Sequence, residues 1–386
     1  MPFVLRLILR NAFRHRLRTT LTMTGIVVAI VAFGLLRTIV DAWYAGVEAS
    51  ASTRLITRNA ISLVFSMPLN YEQKLRQVPG VASVAGANWF GGVYITESNF
   101  FPQFAIQGAN FLDMYPEFRI SAEERKAYLV DRQGAIAGRK LADKYGWKIG
   151  DQIPIRGTIF PGTWTFTLRA IYDGADAKVD ETQFYFHWSF LNETVKARFP
   201  RRGDQVGWFA VEIRDPTQAA EVSERIDATF KNSLAETLTE TEKAFQLGFV
   251  AMTEAILVAI QAVSFVIVLI IMAVMANTMA MTARERYSEY ATMKAIGFGN
   301  GFVAGLIFAE SVGIALAGGL LAIALTFPVA DAFGAALGTL FPVFFVSQET
   351  VAMQAAAAMI VGVVAALIPA WRASHIKIVD GLRAVA

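Results

Sequence analysis

The chain contains no cysteine among its 386 residues, so no disulfide can staple any part of it and every folded region must hold by packing. Histidine occurs only three times. Of these, His187 alone lies in the long middle stretch, inside YFHWSF, and a lone histidine between aromatics is read as a packed residue, not a metal ligand. The patterns GxSxG, HExxH and GxxxxGK[ST] are missing, which removes the common serine-hydrolase, zinc-protease and P-loop chemistries. Acidic residues are scattered, so no carboxylate pair can be read from spacing. Charge of either sign is scarce: 17% of residues are charged against 55% hydrophobic, too apolar for an ordinary soluble enzyme of this size. The excess must face lipid.

The apolar residues are concentrated. Runs at 20–40, about 249–282, about 302–328 and about 350–371 are nearly free of charge, and each meets the roughly 20 residues a helix needs to cross a ~30 Å hydrocarbon core. The fold class expected is an integral membrane α-helical protein with four transmembrane helices and a large α+β extracytoplasmic domain inserted between the first and second spans. The N-terminus is basic and then apolar, but its run is long, lacks an A-x-A-like site and ends in DAWYAG, so it reads as a retained span. Phe3, Leu7, Leu9, Phe13 and Leu17 lie among Arg6, Arg10, Arg14, Arg16 and Arg18. That pattern suits a basic amphipathic helix in the membrane interface or a plain topogenic charge cluster. Arginine there, with Arg284, Arg286 and Lys294 in one loop and Arg372, Lys377 and Arg383 in the tail, places both termini in the cytoplasm by the positive-inside rule. The expected divisions are 1–18 interfacial, 19–44 first span, 45–248 outer domain, 249–283 second span and 284–299 cytoplasmic helix. They continue as 300–328 third span, 329–349 outer loop, 350–371 fourth span and 372–386 cytoplasmic tail.

Within 45–248, strand-like pieces such as GGVYI, TWTFTLRAIY and WFAVEIRD alternate with helical ones, and Asp215 with Pro216 marks a helix start. The second run is long: a continuous helix from Phe249 to Ala283 would rise about 50 Å and project from the membrane, the alternative being a tilted helix with a separate interfacial segment. Glu310 is a carboxylate inside the third span, where such a group marks function or a satisfied contact; pairing with the basic inner loop or capping a neighbouring helix is preferred to ion conduction. Gly313, Gly318 and Gly319 form a small-residue face for close helix packing. Arg37 can snorkel to the outer interface.

Between the second and third runs stands RERYSEYATMKAIGF, followed by the glycine cluster GFGNGF that stops the helix. With the downstream FAES, this segment resembles the R-x-x-E-x-x-x-x-[KR]-A-[LI]-G element and following glutamate of the permease subunits of MacB/LolCDE/FtsX-type (type VII, DevC-like) ABC transporters. Arg286, Glu289, Lys294, Ala295, Ile296 and Gly297 take the recurring places, with Glu310 as the acid. IPAWRASHIKIVDGLRA resembles the family's closing segment through Pro369, Ala370, Ala373, Leu382 and Arg383, with Val379 and Gly381 where proline and alanine are common. NAFRHRLRTTLTMTGIVVAI is similar to the first-span entry, and GRKLADKYGWKIGDQIPI to the family's external domain.

The resemblance implies a non-catalytic membrane subunit of the bacterial inner membrane, in a homodimer or heterodimer with a similar permease. Two separate cytoplasmic ABC ATPase subunits would carry ATP and Mg; this chain would bind no cofactor, no metal and no nucleic acid. Membrane lipids surround it, and a periplasmic adaptor is compatible with it. Residues 284–297 would be the coupling helix, with Arg284, Arg286, Glu289, Met293, Lys294 and Gly297 as candidate ATPase-coupling residues, Glu310 the membrane carboxylate, and Trp371, Arg372 and Arg383 candidate tail contacts. The function implied is export of a hydrophobic substrate (lipid, lipoprotein, peptide or small molecule) driven by movement of the outer domain. An FtsX-like regulator of an extracytoplasmic enzyme is the alternative, and a membrane-anchored enzyme is disfavoured by the missing catalytic residues.

Overall fold

A computed structural model describes residues 16–97, 99–337 and 341–379. Most of the basic segment 1–18, and Arg383, therefore lie outside the described residues. The chain divides into two compact units, one of residues 1–42, 254–336 and 344–386, the other of 43–253 and 337–343. Helix α1 (Arg16–Ala49) runs past residue 44, because Tyr44, Val47 and Glu48 continue the helix with nothing to break it before Ser50.

The inserted domain is α+β. It opens with β1 (Arg54–Asn59), β2 (Met67–Pro68), α2 (Tyr71–Gln77), β3 (Val81–Trp89), β4 (Gly92–Val93), β5 (Gln103–Ile106), α3 (Gly108–Met114), β6 (Phe118–Arg119), α4 (Ala122–Val130) and β7 (Gly134–Gly138). It continues through α5 (Arg139–Tyr145), β8 (Gln152–Gly157), β9 (Gly162–Gly174), β10 (Phe184–His187), α6 (Trp188–Arg198), β11 (Gln205–Val206), β12 (Trp208–Ile213), α7 (Ala219–Thr229), β13 (Thr237–Thr241) and α8 (Glu242–Ala251). Local signals set several starts. Ser121 and Glu124 form a capping box for α4, and Asp215 accepts from Thr217 N in a Pro-led turn just ahead of α7.

The main sheet runs β13-β1-β12-β3-β5-β10-β7-β9-β8-β4, with β6 paired to β9. Its second half curls into a ring. Gln103 on β5 accepts from Gly92 N at 2.7 Å through Oε1 and donates to Gly92 O at 3.0 Å through Nε2, so one buried side-chain amide joins β4 to β5 as a strand's peptide group would. Only glycine fits at 92, since a Cβ there would lie 2.4 Å from Ile155 Cγ2 and 2.8 Å from Gln103 Oε1. Phe90, Phe101, Phe166, Phe184 and Phe186 fill this part of the core, all fully buried, and Phe90 meets Phe166 and Phe186 edge to face.

His187 is packed, as its aromatic neighbours imply. Its ring stacks on Tyr128 at 4.0 Å, and since a carbonyl can only accept, Nε2 donates its proton to Tyr128 O at 2.8 Å. Burial pulls the imidazole below its ordinary pKa, with the Tyr128 carbonyl opposing. The neutral ring therefore contributes stability that is whole above the unfolded value, about 6.5, and lost as pH falls through the lower folded value. The unfolding temperature of the whole chain is expected to fall on acidification through this window, and His187→Gln to flatten that part of the profile; an unchanged slope would remove His187 as its source.

Four helices among the described residues are long and apolar enough to cross a membrane: α1, α9 (Glu254–Glu285), α11 (Asn300–Leu337) and α12 (Gln348–Ser374), with the short α10 (Tyr287–Ala295) between α9 and α11. Two more ends differ from the sequence expectation. The second span does not continue α8 unbroken, because Met252 N→Phe249 O and Thr253 N→Val250 O tighten the last turn and close it. The third passes through Pro328 to Leu337: a proline costs one helix bond, but an apolar stretch rich in alanine on both sides keeps its remaining bonds internal.

The helices of the membrane unit approach closely where side chains are small. A Cβ on Gly319 would lie 2.5 Å from Ala358 Cβ, and one on Gly362 would lie 2.8 Å from Ala315 Cβ. Gly318 meets Ile26, while Gly313 faces open space, so only two of the three glycines on the expected face serve packing here. A polar layer crosses the same unit, with Gln354 Nε2 donating to Ile30 O at 2.9 Å and to Thr326 Oγ1 at 2.8 Å. Arg37 is held by Asp41 at 3.2 Å and Glu349 at 3.2 Å, and Asp41 in turn accepts from Ser347 and Thr350 at the start of α12.

Candidate functional site

The charged segment between α9 and α11 is built around one bend and one stop. The bend is Arg286, whose φ of −107° and ψ of 13° leave the helical region and separate α9 from α10. The stop is Gly297, at φ +103°, a left-handed conformation glycine adopts without strain. Phe298 N donates to Met293 O at 3.0 Å and Gly297 N to Lys294 O at 3.1 Å, the paired bonds of a Schellman end. Gly297 thus terminates α10, and the recurrent glycine of the segment has a backbone reason.

The charges on α10 point two ways. Arg286 is 6% exposed; its Nη1 donates to Glu310 Oε2 on α11 at 2.9 Å and its Nε to Glu289 Oε2 at 3.0 Å. Its guanidinium lies 5.1 Å from the centre of the Tyr290 ring. Glu310, 4% exposed, is paired rather than free. Lys294 donates through Nζ to Ser374 O at 2.9 Å and Ile376 O at 2.8 Å, placing a cation on the last carbonyl of α12, where the helix dipole favours one, and on the turn that follows. Met293 packs with Tyr287, Ala304 and Ile376 around the buried Tyr290, Val303, Ile307 and Ala373. At the end of α9, Glu285 accepts both Arg18 Nη1 and Nη2 at 2.7 Å, tying α9 to α1. These contacts fasten α10 to α11 and α12.

Arg286 and Lys294 are therefore turned inward and hold α10 in place, while Glu289 is half-exposed and bonded to Arg286. The outward side is formed by Arg284, Thr292, Ala295 and Ile296, with Gly297 and Phe298 beyond them. Ile296 is 72% exposed and Phe298 42%. Thr292 and Phe298 were not among the residues singled out in the sequence, and Ile296 was noted only as a recurring place of the motif; the helical period could have found Thr292 and Ile296, since 288, 292 and 296 follow at four-residue steps. Trp371 and Arg372 are exposed at the end of α12 and lie outside this network, with the Trp371 ring 5.3 Å from that of His375.

Residues 19–229 match the family model of the MacB-like periplasmic core domain, and residues 262–378 match that of the FtsX-like permease C-terminal region. The chain belongs to the MacB/FtsX-type ABC permeases. The periplasmic region of MacB from Actinobacillus actinomycetemcomitans is similar at 8% identity and TM-score 0.37, covering 53% of this chain and 95% of that one. The extracellular domain of the noncanonic ABC-type transporter YknZ from Gram-positive bacteria covers 49% of this chain and 100% of its own at 13% identity and TM-score 0.35. A domain of a putative permease protein from Porphyromonas gingivalis is 15% identical over 49% of this chain and 90% of that one, at TM-score 0.34. No curated protein matches the chain. The α10 junction of this permease falls wholly inside its FtsX-like region. Permeases of this family are multi-pass membrane subunits of ABC transporters, whose ATPase is a partner subunit.

Proposed function

We propose that this permease couples ATP hydrolysis by a separate ATPase to movement of its inserted domain, and so drives export of a hydrophobic substrate (lipid, lipoprotein, peptide or small molecule) from the periplasm or outer leaflet. The membrane is the bacterial inner membrane, both termini are cytoplasmic, and two copies of the permease, or this chain and a similar one, carry two ATPase subunits with their ATP and Mg. The observation that carries the proposal is the two-sidedness of α10. It is bonded to α11 and α12 through Lys294 and through Arg286 at its N-cap, while Thr292, with Ile296 and Phe298 just past its end and Arg284 just before the bend, is exposed to whatever docks there. A push on the outer face is passed to two spans without being absorbed by a loose loop. The FtsX-like match over the membrane half also suits a regulator that moves an extracytoplasmic enzyme rather than a substrate; the size of the inserted domain favours export.

Affinity purification of the permease from its own membranes, with an ATPase assay, tests this. The expected result is a co-purifying ATP-binding subunit, lost at least tenfold when Ile296→Asp and Phe298→Asp are combined, because each buried Ile or Phe side chain contributes about 1.5–3 kcal/mol to an interface and 1.4 kcal/mol is tenfold. Glu289→Lys is a poorer probe, since it also sets an ammonium beside Arg286. A permease that comes down alone, without ATPase activity, would reject the coupling role. A co-purifying hydrolase in place of an adaptor would select the regulator.

A further inference from the structure

The inserted domain carries a second buried charge network, at the place where its chain enters and leaves. Arg54, first residue of β1, is 3% exposed. Its Nε donates to Glu242 Oε2 at 2.8 Å, its Nη1 to Met114 O at 2.8 Å and Glu117 Oε2 at 3.1 Å, and its Nη2 to Glu117 Oε1 at 2.6 Å. The guanidinium also lies 4.0 Å from the centre of the Tyr115 ring. Glu242, first residue of α8, further accepts from Ala51 N at 3.0 Å and from Tyr115 Oη at 3.2 Å. One cation thus faces two carboxylates, and the surplus negative charge sits at a helix N-terminus that favours it. Burial alone would lower the Arg54 pKa, but Glu117 and Glu242 more than reverse this, so the charge is permanent.

Three segments meet at this cation. The first is the connection from α1 into β1, through Arg54 and Ala51. The second is the start of α8, which carries the chain back out. The third is the α3–β6 segment, through Met114 and Glu117, and Phe118 next to it pairs with Gly174 on β9, in the ring half of the sheet. Two further contacts hold the last turn of α1 in the domain: Glu48 with Lys178 at 2.7 Å, and Gly46 so close to Gln246 on α8 that a Cβ would lie 3.3 Å from its Oε1. Apolar side chains could hold such a junction as firmly. What the forked guanidinium adds is a fixed geometry between three segments at once.

We infer that Arg54 is the residue through which movement of α1 and α8 is passed to the α3–β6 segment and the strand ring beyond it. The inference rests on the transport role proposed above. In that role Arg54 positions the segments and touches neither nucleotide nor substrate. Its loss would uncouple the ring from the helices without detaching the ATPase.

Because the chain has no cysteine, spin labels can be placed without background on Glu224→Cys of α7 and Lys126→Cys of α4, both exposed. The distance between them is read in the membrane-derived permease–ATPase complex, free of nucleotide and with ATP trapped. A distance that changes with nucleotide is expected in the otherwise unchanged protein. Arg54→Lys, which keeps the charge but not the fork, and Glu117→Gln, which keeps an acceptor oxygen but not the charge, are both expected to leave the nucleotide-free distance alone and cut the change by at least half. A full-size change in both variants overturns the role of Arg54. So does an unchanged protein whose distance ignores nucleotide while the ATPase stays bound, which leaves the permease–ATPase association standing. If no ATPase is bound at all, the transport role falls and the inference with it.

Discussion

Glu310→Ala is expected to be the most damaging single substitution in the membrane unit. It leaves the Arg286 guanidinium, 6% exposed, with Glu289 as its remaining carboxylate partner among the described contacts. Breaking a buried pair by removing one partner costs roughly 3–5 kcal/mol when the survivor stays desolvated and uncompensated, and the half-exposed Glu289 offsets only part of that. Glu310→Gln should cost less, since the amide oxygen can still accept from Nη1. Replacing both Arg286 and Glu310 by alanine should cost less than the two single losses added together, the sign of direct coupling. Thermal unfolding of the detergent-solubilised permease measures all four. Equal, small effects of Glu310→Ala and Glu310→Gln would mean the pair does not hold α10 in place, and the mechanical route from α10 to α11 would lose its main link.

The same pair shows what was and was not legible in the sequence. A carboxylate inside an apolar run announces that it has a partner, and residue type and position narrow the choice for Glu310 to the basic loop nearby or the end of a neighbouring helix. Which of the loop's cations meets it, and which way the others point, depends on where the helix bends. That bend falls at Arg286, which no glycine or proline marks. The family resemblance drew attention to Arg286 and Lys294 as partner contacts, yet long cations at the end of a bundle are also what neutralises an inward carboxylate or caps a helix, and here they do both.

The architecture divides in the same way. Apolar length identifies the four spans, because hydrocarbon thickness is a fixed requirement. It does not place their ends, since lipid and the interior of a bundle accept the same residues and α11 can pass Pro328 with no change of composition. In the inserted domain, alternation identifies strands and Asp215 with Pro216 a helix start. Strand order is set by pairings far apart in the chain, such as parallel β5 with β10, and by single side chains such as Gln103, whose part in joining β4 to β5 no local pattern records.

Gly362→Leu should be the most damaging change that adds atoms rather than removing them. Gly319 and Ala315 on α11 face Ala358 and Gly362 on α12, a glycine against an alanine each time, at four-residue spacing on both helices. A Cβ at 362 would already lie 2.8 Å from Ala315 Cβ and 3.1 Å from Val312 Cα; a backbone atom cannot rotate away, so the helices must separate. Separation would also stretch the bond from Ser311 Oγ to Gly362 O, now 2.9 Å, next to Glu310. Overpacking typically costs 1–3 kcal/mol, and in lipid no gain in apolar burial offsets it, since the separated surfaces are solvated as well by acyl chains as by each other. Leucine at 362 is therefore expected at the upper end of that range, with alanine smaller but still destabilising. Gly313→Leu, where nothing lies within 4 Å, should leave the melting temperature unchanged. If the 313 and 362 variants melt alike, close approach of α11 and α12 is not what the small residues provide, and α10 would have to be carried by its polar bonds alone.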